Sequence, residues 1–180
     1  MKKTIRTLFK EIVPIIIGIL VALWINNWNE NRKDRNYINQ ISSSIDKELT
    51  ETAESIINKR TTQESLIDTL DYYKTDKDVS LFDIMMKVNG IQMPSIKINS
   101  WKAISSTKIE LMEYSKVSTL ADIEEQKDLL KVKSQNLMNF IYPNTQETGT
   151  EKKEQLKLRL LDIISTETTI ENQINEIIEN

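Results

Sequence analysis

Residues 12–25 read IVPIIIGILVALWI, and the indole of Trp24 is the one side chain among them able to form a hydrogen bond. Lys2, Lys3, Arg6 and Lys10 precede the run, and Asn26, Asn27, Trp28 and Asn29 close it. As a helix the run is about 21 Å long, short of the roughly 30 Å hydrocarbon core of a bilayer. Extended to residues 8–28 it reaches about 31 Å and fits. The extension takes in Lys10 and Glu11, where the lysine is expected to snorkel to the headgroups and pair locally with the glutamate. Trp24 and Trp28 suit the membrane–water interface as an aromatic belt. We therefore read a transmembrane anchor. A cleaved signal peptide needs a small-residue cleavage site, and residues 23–26 (LWIN) offer no good one. An interfacial helix needs a polar face, and residues 12–25 are apolar all round. A buried core helix has no use for four cations crowded before it.

Cation asymmetry gives the direction. Four Lys/Arg precede the span, while Arg32, Lys33 and Arg35 follow it, interleaved with Glu30 and Asp34. The expected arrangement is an N-terminus in the cytoplasm and the bulk of the chain outside. In a Gram-negative cell this means the inner (cytoplasmic) membrane, with the C-terminal domain in the periplasm. Within the span Pro14, Gly18, Ala22 and Asn26 recur every fourth residue. Gly18 and Ala22 form a small-xxx-small pair that admits a close neighbouring helix. Asn26 extends that ridge, and Pro14 can leave a carbonyl for a neighbour to satisfy. These four residues are the candidate membrane helix–helix contact. Trp24 and Trp28 sit on a different face.

Residues 11–30, EIVPIIIGILVALWINNWNE, followed by Arg32-Lys33, resemble the opening of a Bacteroidota family of single-span membrane proteins filed as a domain of unknown function. Its pattern is E-I, an apolar run with I-G-I-L-(I/V)-A-L, then I-N-N-W-N-E and a basic pair. Gly18-Ile19-Leu20-Val21-Ala22-Leu23 and Ile25-Asn26-Asn27-Trp28-Asn29-Glu30 match it residue for residue, and Pro14 and Trp24 depart from it. The region from Ser100-Trp101-Lys102-Ala103-Ile104 to Leu120 resembles a later helical segment more loosely. The close match covers about the first thirty-five residues. The resemblance implies a single-span membrane protein with a helical outer domain, and no reaction.

Residues 1–34 are read as cytoplasmic tail, span and juxtamembrane joint, and residues 35–180 as one outer domain, large enough for a core of its own. The chain has no cysteine, hence no disulfide framework. It has no histidine either, which excludes Ser-His-Asp, Cys-His and His-ligated metal chemistry. The net charge is −3, and about −6 remains once the basic start and Glu11 are set aside. A mildly acidic outer domain argues against nucleic acid as a partner. No cofactor or metal site is legible.

Only three glycines and three prolines occur, with none between Gly18 and Gly90, so long helices are expected. Residues 35–73 place Ile38, Ile41, Ile45, Leu49, Ala53, Ile56, Ile57, Leu66, Ile67, Leu70 and Tyr73 mostly three or four apart, one buried helix face. Residues 58–65 (NKRTTQES) break the stripe and read as exposed or weakly packed. We expect this helix to continue from the span. The Asn-rich residues 26–39, of poor helix propensity, offer a flexible joint instead. Residues 75–79 read as a turn and Ser80 as the N-cap of a short helix over 81–88, ended by Asn89-Gly90. Residues 91–99 with Pro94 read as an extended connector or one short edge strand. Asn99 or Ser100 then caps a helix over 101–106, and residues 108–114 add a further turn or two. Helices follow over 119–141, bearing Leu120, Ile123, Leu129, Leu130, Leu137 and Phe140, and over 150–180, bearing Leu156, Leu160, Ile163, Ile164, Ile170, Ile174, Ile177 and Ile178. A loop over 142–149 joins them. The fold expected is all-α: an N-terminal transmembrane helix, then an elongated antiparallel helical bundle with a short-helix insert.

Asp76, Asp78 and Asp83 lack the spacing of a calcium loop. Glu124 with Glu125, and Glu151 with Glu154, could be read as paired acids, but adjacent carboxylates point to different parts of a helix surface and no second constellation accompanies them. Trp101 reads first as a core aromatic of the insert and second as a distal partner contact. The function expected is therefore a membrane-anchored interaction or assembly protein, not an enzyme. Its partners would be the lipid bilayer and either copies of itself or another membrane-protein subunit. The alternative is a ligand-sensing bundle resembling bacterial chemoreceptor outer domains. Those carry a second span, and none follows here.

Overall fold

A computed structural model of the chain describes the backbone of residues 2–179 and the side chains of residues 11–179. The side chains of Lys2, Lys3, Arg6 and Lys10, including the expected snorkelling of Lys10, lie outside the described residues. Helix makes up 83 % of the chain and the described residues hold no strand, which places it in the all-α class. The order is α1 (Lys2–Tyr72), α2 (Leu81–Lys87), α3 (Asn99–Ser105), a 3-10 turn (Ile109–Leu111), α4 (Tyr114–Asn144) and α5 (Thr150–Glu179). Two compact units are formed, Met1–Ser42 and Ser43–Asn180.

The first unit belongs wholly to α1. Its backbone is helical through Pro14 and through the Asn-rich residues 26–39. Pro14 lacks only one donor, and the rest of a long apolar helix tolerates that loss. Among the described residues α1 is the one helix long and apolar enough to cross a membrane.

In the second unit α1 buries Ile45, Leu49, Ile56, Leu66 and Leu70. From α4 come Leu120, Ile123, Leu130, Leu137 and Phe140, and from α5 Leu156, Leu160, Ile163, Ile170 and Ile174. The spacing of threes and fours makes one face of each helix apolar. Leu81 and Ile84 of α2 and Trp101 and Ile104 of α3 join the same core. Ile57, Leu129 and Ile178 also fit the stripes by sequence, yet all three are exposed. Each has an apolar neighbour one or four positions away that takes the inward place.

The connections follow local chemistry. Ser80 and Asp83 form a capping box at the start of α2: Asp83 N donates to Ser80 Oγ and Ser80 N to Asp83 Oδ2. Leu81 N and Phe82 N donate to the carbonyls of Glu147 and Thr145, so the loop between α4 and α5 completes that cap. Asn89 (φ 62°) and Gly90 (φ 81°) end α2 in the left-handed region, and Gly90 N donates back to Met85 O. Residues 91–98 form neither helix nor strand. α3 begins at Asn99, not at Trp101, and has no side-chain cap of its own. Glu48 of α1 does that work by accepting from Ser100 N at 3.0 Å. Residues 108–114 give only the 3-10 turn. α4 runs through Pro143 to Asn144, further than expected, and Asn144 Nδ2 donates to Phe140 O at 2.6 Å. That bond ties the Asn144 side chain back to the last turn of the helix.

Candidate functional site

Three places have chemistry beyond packing. The first is the surface of α1 in the first unit, where every side chain from residue 11 to residue 33 is exposed. Pro14, Gly18, Ala22 and Asn26 share this bare surface, and a Cβ added at Gly18 would meet nothing within 4 Å. Trp24 and Trp28 are exposed too, and the Arg32 guanidinium lies 5.9 Å from the Trp28 ring centroid. Cation and indole together suit the headgroup layer.

The second is a polar ladder on α1 within the second unit. The extended residues 91–98 have no strand partner, so their amides need other acceptors. Ser95 N donates to Ser55 Oγ at 2.9 Å, and Lys97 N donates to Thr52 Oγ1 at 2.9 Å. Gln63 Nε2 donates to Gln92 O at 3.1 Å. Residues 58–65 are exposed or half-buried as expected except at Gln63, which is only 1 % exposed. The gap in the apolar stripe is a buried polar contact. Gln63 Nε2 also donates to Glu167 Oε1 of α5 at 2.9 Å, and Glu167 is 0 % exposed. Burial, opposed by the Gln63 hydrogen bond and by the charge of Arg60, pushes the Glu167 carboxyl up to about 7. Gln63 Oε1 and Glu167 Oε2 are buried without partners. A proton on Glu167 Oε2 would give this pair the donor it lacks. Arg60 Nη1 lies 2.7 Å from Glu171 Oε2. Lys153 is buried at the other end of α1's core stretch. Its Nζ donates to Tyr73 O at 2.8 Å and to Asp76 O, in the turn that follows α1. Burial lowers its pKa, against the pull of Asp76.

The third place is an open pocket of about 560 Å³. One wall is the extended segment, through Met93, Pro94 and Ile96, and the other is α4 from Lys127 to Met138. Leu130 lies at its base, and Lys102 of α3 borders it with Lys127 and Lys131. Burial, and next the positive charge of Lys102, hold Lys127 below the usual lysine value, with Asp128, Glu124 and Glu48 pulling the other way. Nothing in the sequence announced this pocket, because its walls lie more than thirty residues apart.

Trp101 borders none of these surfaces. It is 3 % exposed, and its Nε1 donates to Glu124 Oε2 at 2.7 Å. Its ring serves the core, and a distal partner would find no exposed indole there. The carboxylates weighed as pairs are engaged separately. Glu124 takes Trp101 and Lys102, Glu154 pairs with Lys74 at 3.0 Å, and Glu151 accepts from Gln155. Asp76 accepts from Asp78 N and Asp83 caps α2.

Comparison with known proteins found no matching family model, no matching curated protein and no matching solved structure. Nothing in them bears on the Bacteroidota resemblance of residues 11–30.

Proposed function

We propose that the chain is a membrane-anchored helical interaction or assembly protein, an accessory subunit of a membrane complex or a homo-oligomer. The observation that carries this reading is the bare apolar surface of α1. Eleven large apolar side chains between Ile12 and Ile25 stand exposed. At roughly 1.5–3 kcal/mol for each when fully wet, and about half of that at partial exposure, water contact costs on the order of 10 kcal/mol. That rivals the roughly 5–15 kcal/mol net stability of a whole domain. Lipid, or a neighbouring helix in lipid, removes the cost.

The cations before and after the span support a cytoplasmic N-terminus and a periplasmic outer domain. The open ridge of Pro14, Gly18, Ala22 and Asn26 supports close helix association in the membrane. In the outer domain the pairs Arg60–Glu171, Gln63–Glu167 and Asp71–Lys157, with Lys74–Glu154 just past the end of α1, ascend along α1 while they descend along α5. That order supports an antiparallel bundle. The absence of histidine and cysteine supports a binding role over a catalytic one. Kinship with the Bacteroidota family rests on residues 11–33.

Blue-native gels and lysine crosslinking of the gently solubilised full chain test the reading. A discrete oligomer or heteromeric complex is expected, weakened several-fold in Gly18→Ile/Ala22→Ile while the protein stays in the membrane fraction. A chain that runs only as a monomer, with that double variant unchanged, would sink it.

A further inference from the structure

We propose that the pocket between the extended segment and α4 binds a single-chain lipid with a monoanionic head, the fatty-acid class. The site is independent of whether the span associates with another helix.

Its shape sets the first limit. A volume of about 560 Å³ falls within the usual range for small-molecule sites, well below what a folded partner would occupy. The lining sets the second. Met93, Pro94, Ile96, Leu130 and Met138 give the apolar part of the lining, beside Ser134 and Gln135, and two of those five are methionines, whose flexible thioethers adapt to a chain of variable shape.

The rim sets the head group. Lys127 and Lys131 lie four residues apart on one helix, a like-charge pair that disfavours the empty helix face. Lys102 reaches the same rim from α3 and is held only loosely, 3.5 Å from Glu124. Among the described residues neither Lys127 nor Lys131 has an ion pair within 4.0 Å. Part of the depression of the Lys127 pKa comes from Lys102, so the cations repel one another across the rim. An anion seated among them would reverse that repulsion. Asp128 also borders the pocket and Glu124 pairs with Lys102 at 3.5 Å, so two of the three charges are offset and one is left. The balance suits one negative charge better than two, and so a carboxylate better than a phosphate dianion. A free carboxylate without a chain would leave the methionine wall in water.

The wall is held in place. Ser55 and Thr52 fasten the extended segment to α1 from its other edge, so Met93 and Ile96 are set opposite α4 before any ligand arrives.

The test uses the full chain in phosphatidylcholine nanodiscs and a fatty acid with a diazirine on its chain. After irradiation, crosslinks are mapped by mass spectrometry. Labelling of residues 12–28 by simple partitioning serves as the internal control for anchoring. Crosslinks are expected at residues 93–96 and 130–138. Decanoate should reduce them about tenfold, and decanol and inorganic phosphate less than twofold. Lys127→Gln/Lys131→Gln should lower them at least fivefold with helicity and the control labelling unchanged. Lys102→Gln, a single change on a separate helix, should lower them about threefold. The proposal is overturned by background labelling at the pocket or by equal competition from decanol. It is equally overturned by stronger competition from decyl phosphate than from decanoate, or by variants that fold and label like the parent.

Discussion

α1 is used in two opposite ways along its length. Residues 11–33 turn every side chain outward and carry almost no polar group before Asn26. Residues 45–70 bury one apolar face and carry beside it a row of polar side chains, Glu48, Thr52, Ser55 and Gln63, that hold another segment of chain, Thr52 and Gln63 being buried and the other two half-buried. Helical backbone is common to both, so the side chains alone decide what may cover each part. The first has nothing of its own chain to cover it among the described residues. The second is satisfied by its own chain, because a buried polar group costs little once it has a partner.

The largest effect should come from making the first part resemble the second. A charge at the centre of a span costs roughly 2.5–3.5 kcal/mol. Ile16→Asp with Ile19→Asp should therefore disfavour the inserted state by about 6 kcal/mol. Membrane fractionation should then find most of the protein outside the bilayer pellet, while the same pair of changes leaves the melting of the outer domain unaltered.

Next comes the core of the second part. Leu160 of α5 is fully buried. Leu160→Ala should destabilise the outer domain by about 2–5 kcal/mol in chemical denaturation, with membrane retention intact. Loss of retention in this variant would mean that the two regions do not act separately.

Glu167 sharpens the contrast further, since a carboxyl is buried where the span tolerates none. Its folded pKa of about 7 lies above the ordinary value of 4.5. The folded state therefore holds its proton more tightly than the unfolded chain. This group favours folding most below pH 4.5, loses that advantage as pH rises from 4.5 to 7, and changes little above. The upper limit of the loss is about 3 kcal/mol. Glu167→Gln keeps an acceptor for Gln63 and removes the titration, so the variant should flatten the fall in stability between pH 5 and 8. An unchanged slope would place the charge elsewhere.

The smallest effect concerns the row that fastens the extended segment. Thr52→Val keeps the shape and leaves Lys97 N without its acceptor. A loss of about 1–2 kcal/mol is expected, with faster amide exchange at residues 95–97. Exchange that stays slow there would show that the segment is held by packing alone.

Periodic features were legible from residues alone. The apolar stripes mark the inward faces of α1, α4 and α5, Ser80 marks the start of α2, and Asn89-Gly90 marks its end, because each of these is a local rule. Within residues 58–65 Gln63 alone departs from the exposed or weakly packed reading, for a physical reason. Gln63 is polar, and only the presence of Glu167 and Gln92 makes its burial favourable. Lys153 and Glu167 sit at inward positions of α5 and look like interruptions until their partners are in view. Ile57, Leu129 and Ile178 misled the other way, since an apolar residue beside a better-placed one gains nothing by turning inward. The start of α3 escaped notice because its cap, Glu48, is fifty-two residues upstream. The pocket was hidden for the same reason, being made by two segments that meet only in the fold.

The central claim is that residues 12–28 cross a membrane and leave the helical domain on the far side. The absence of cysteine makes this directly measurable, because a single cysteine can be placed at will. Lys3→Cys and Ser165→Cys, each in the full chain, would be treated in intact spheroplasts with a membrane-impermeant maleimide, then again after lysis. The account predicts that Ser165→Cys labels fully in intact spheroplasts, that Lys3→Cys labels only after lysis, and that both stay in the pellet after alkaline carbonate extraction. Release of the protein by carbonate, or labelling of both positions from the same side, would contradict it.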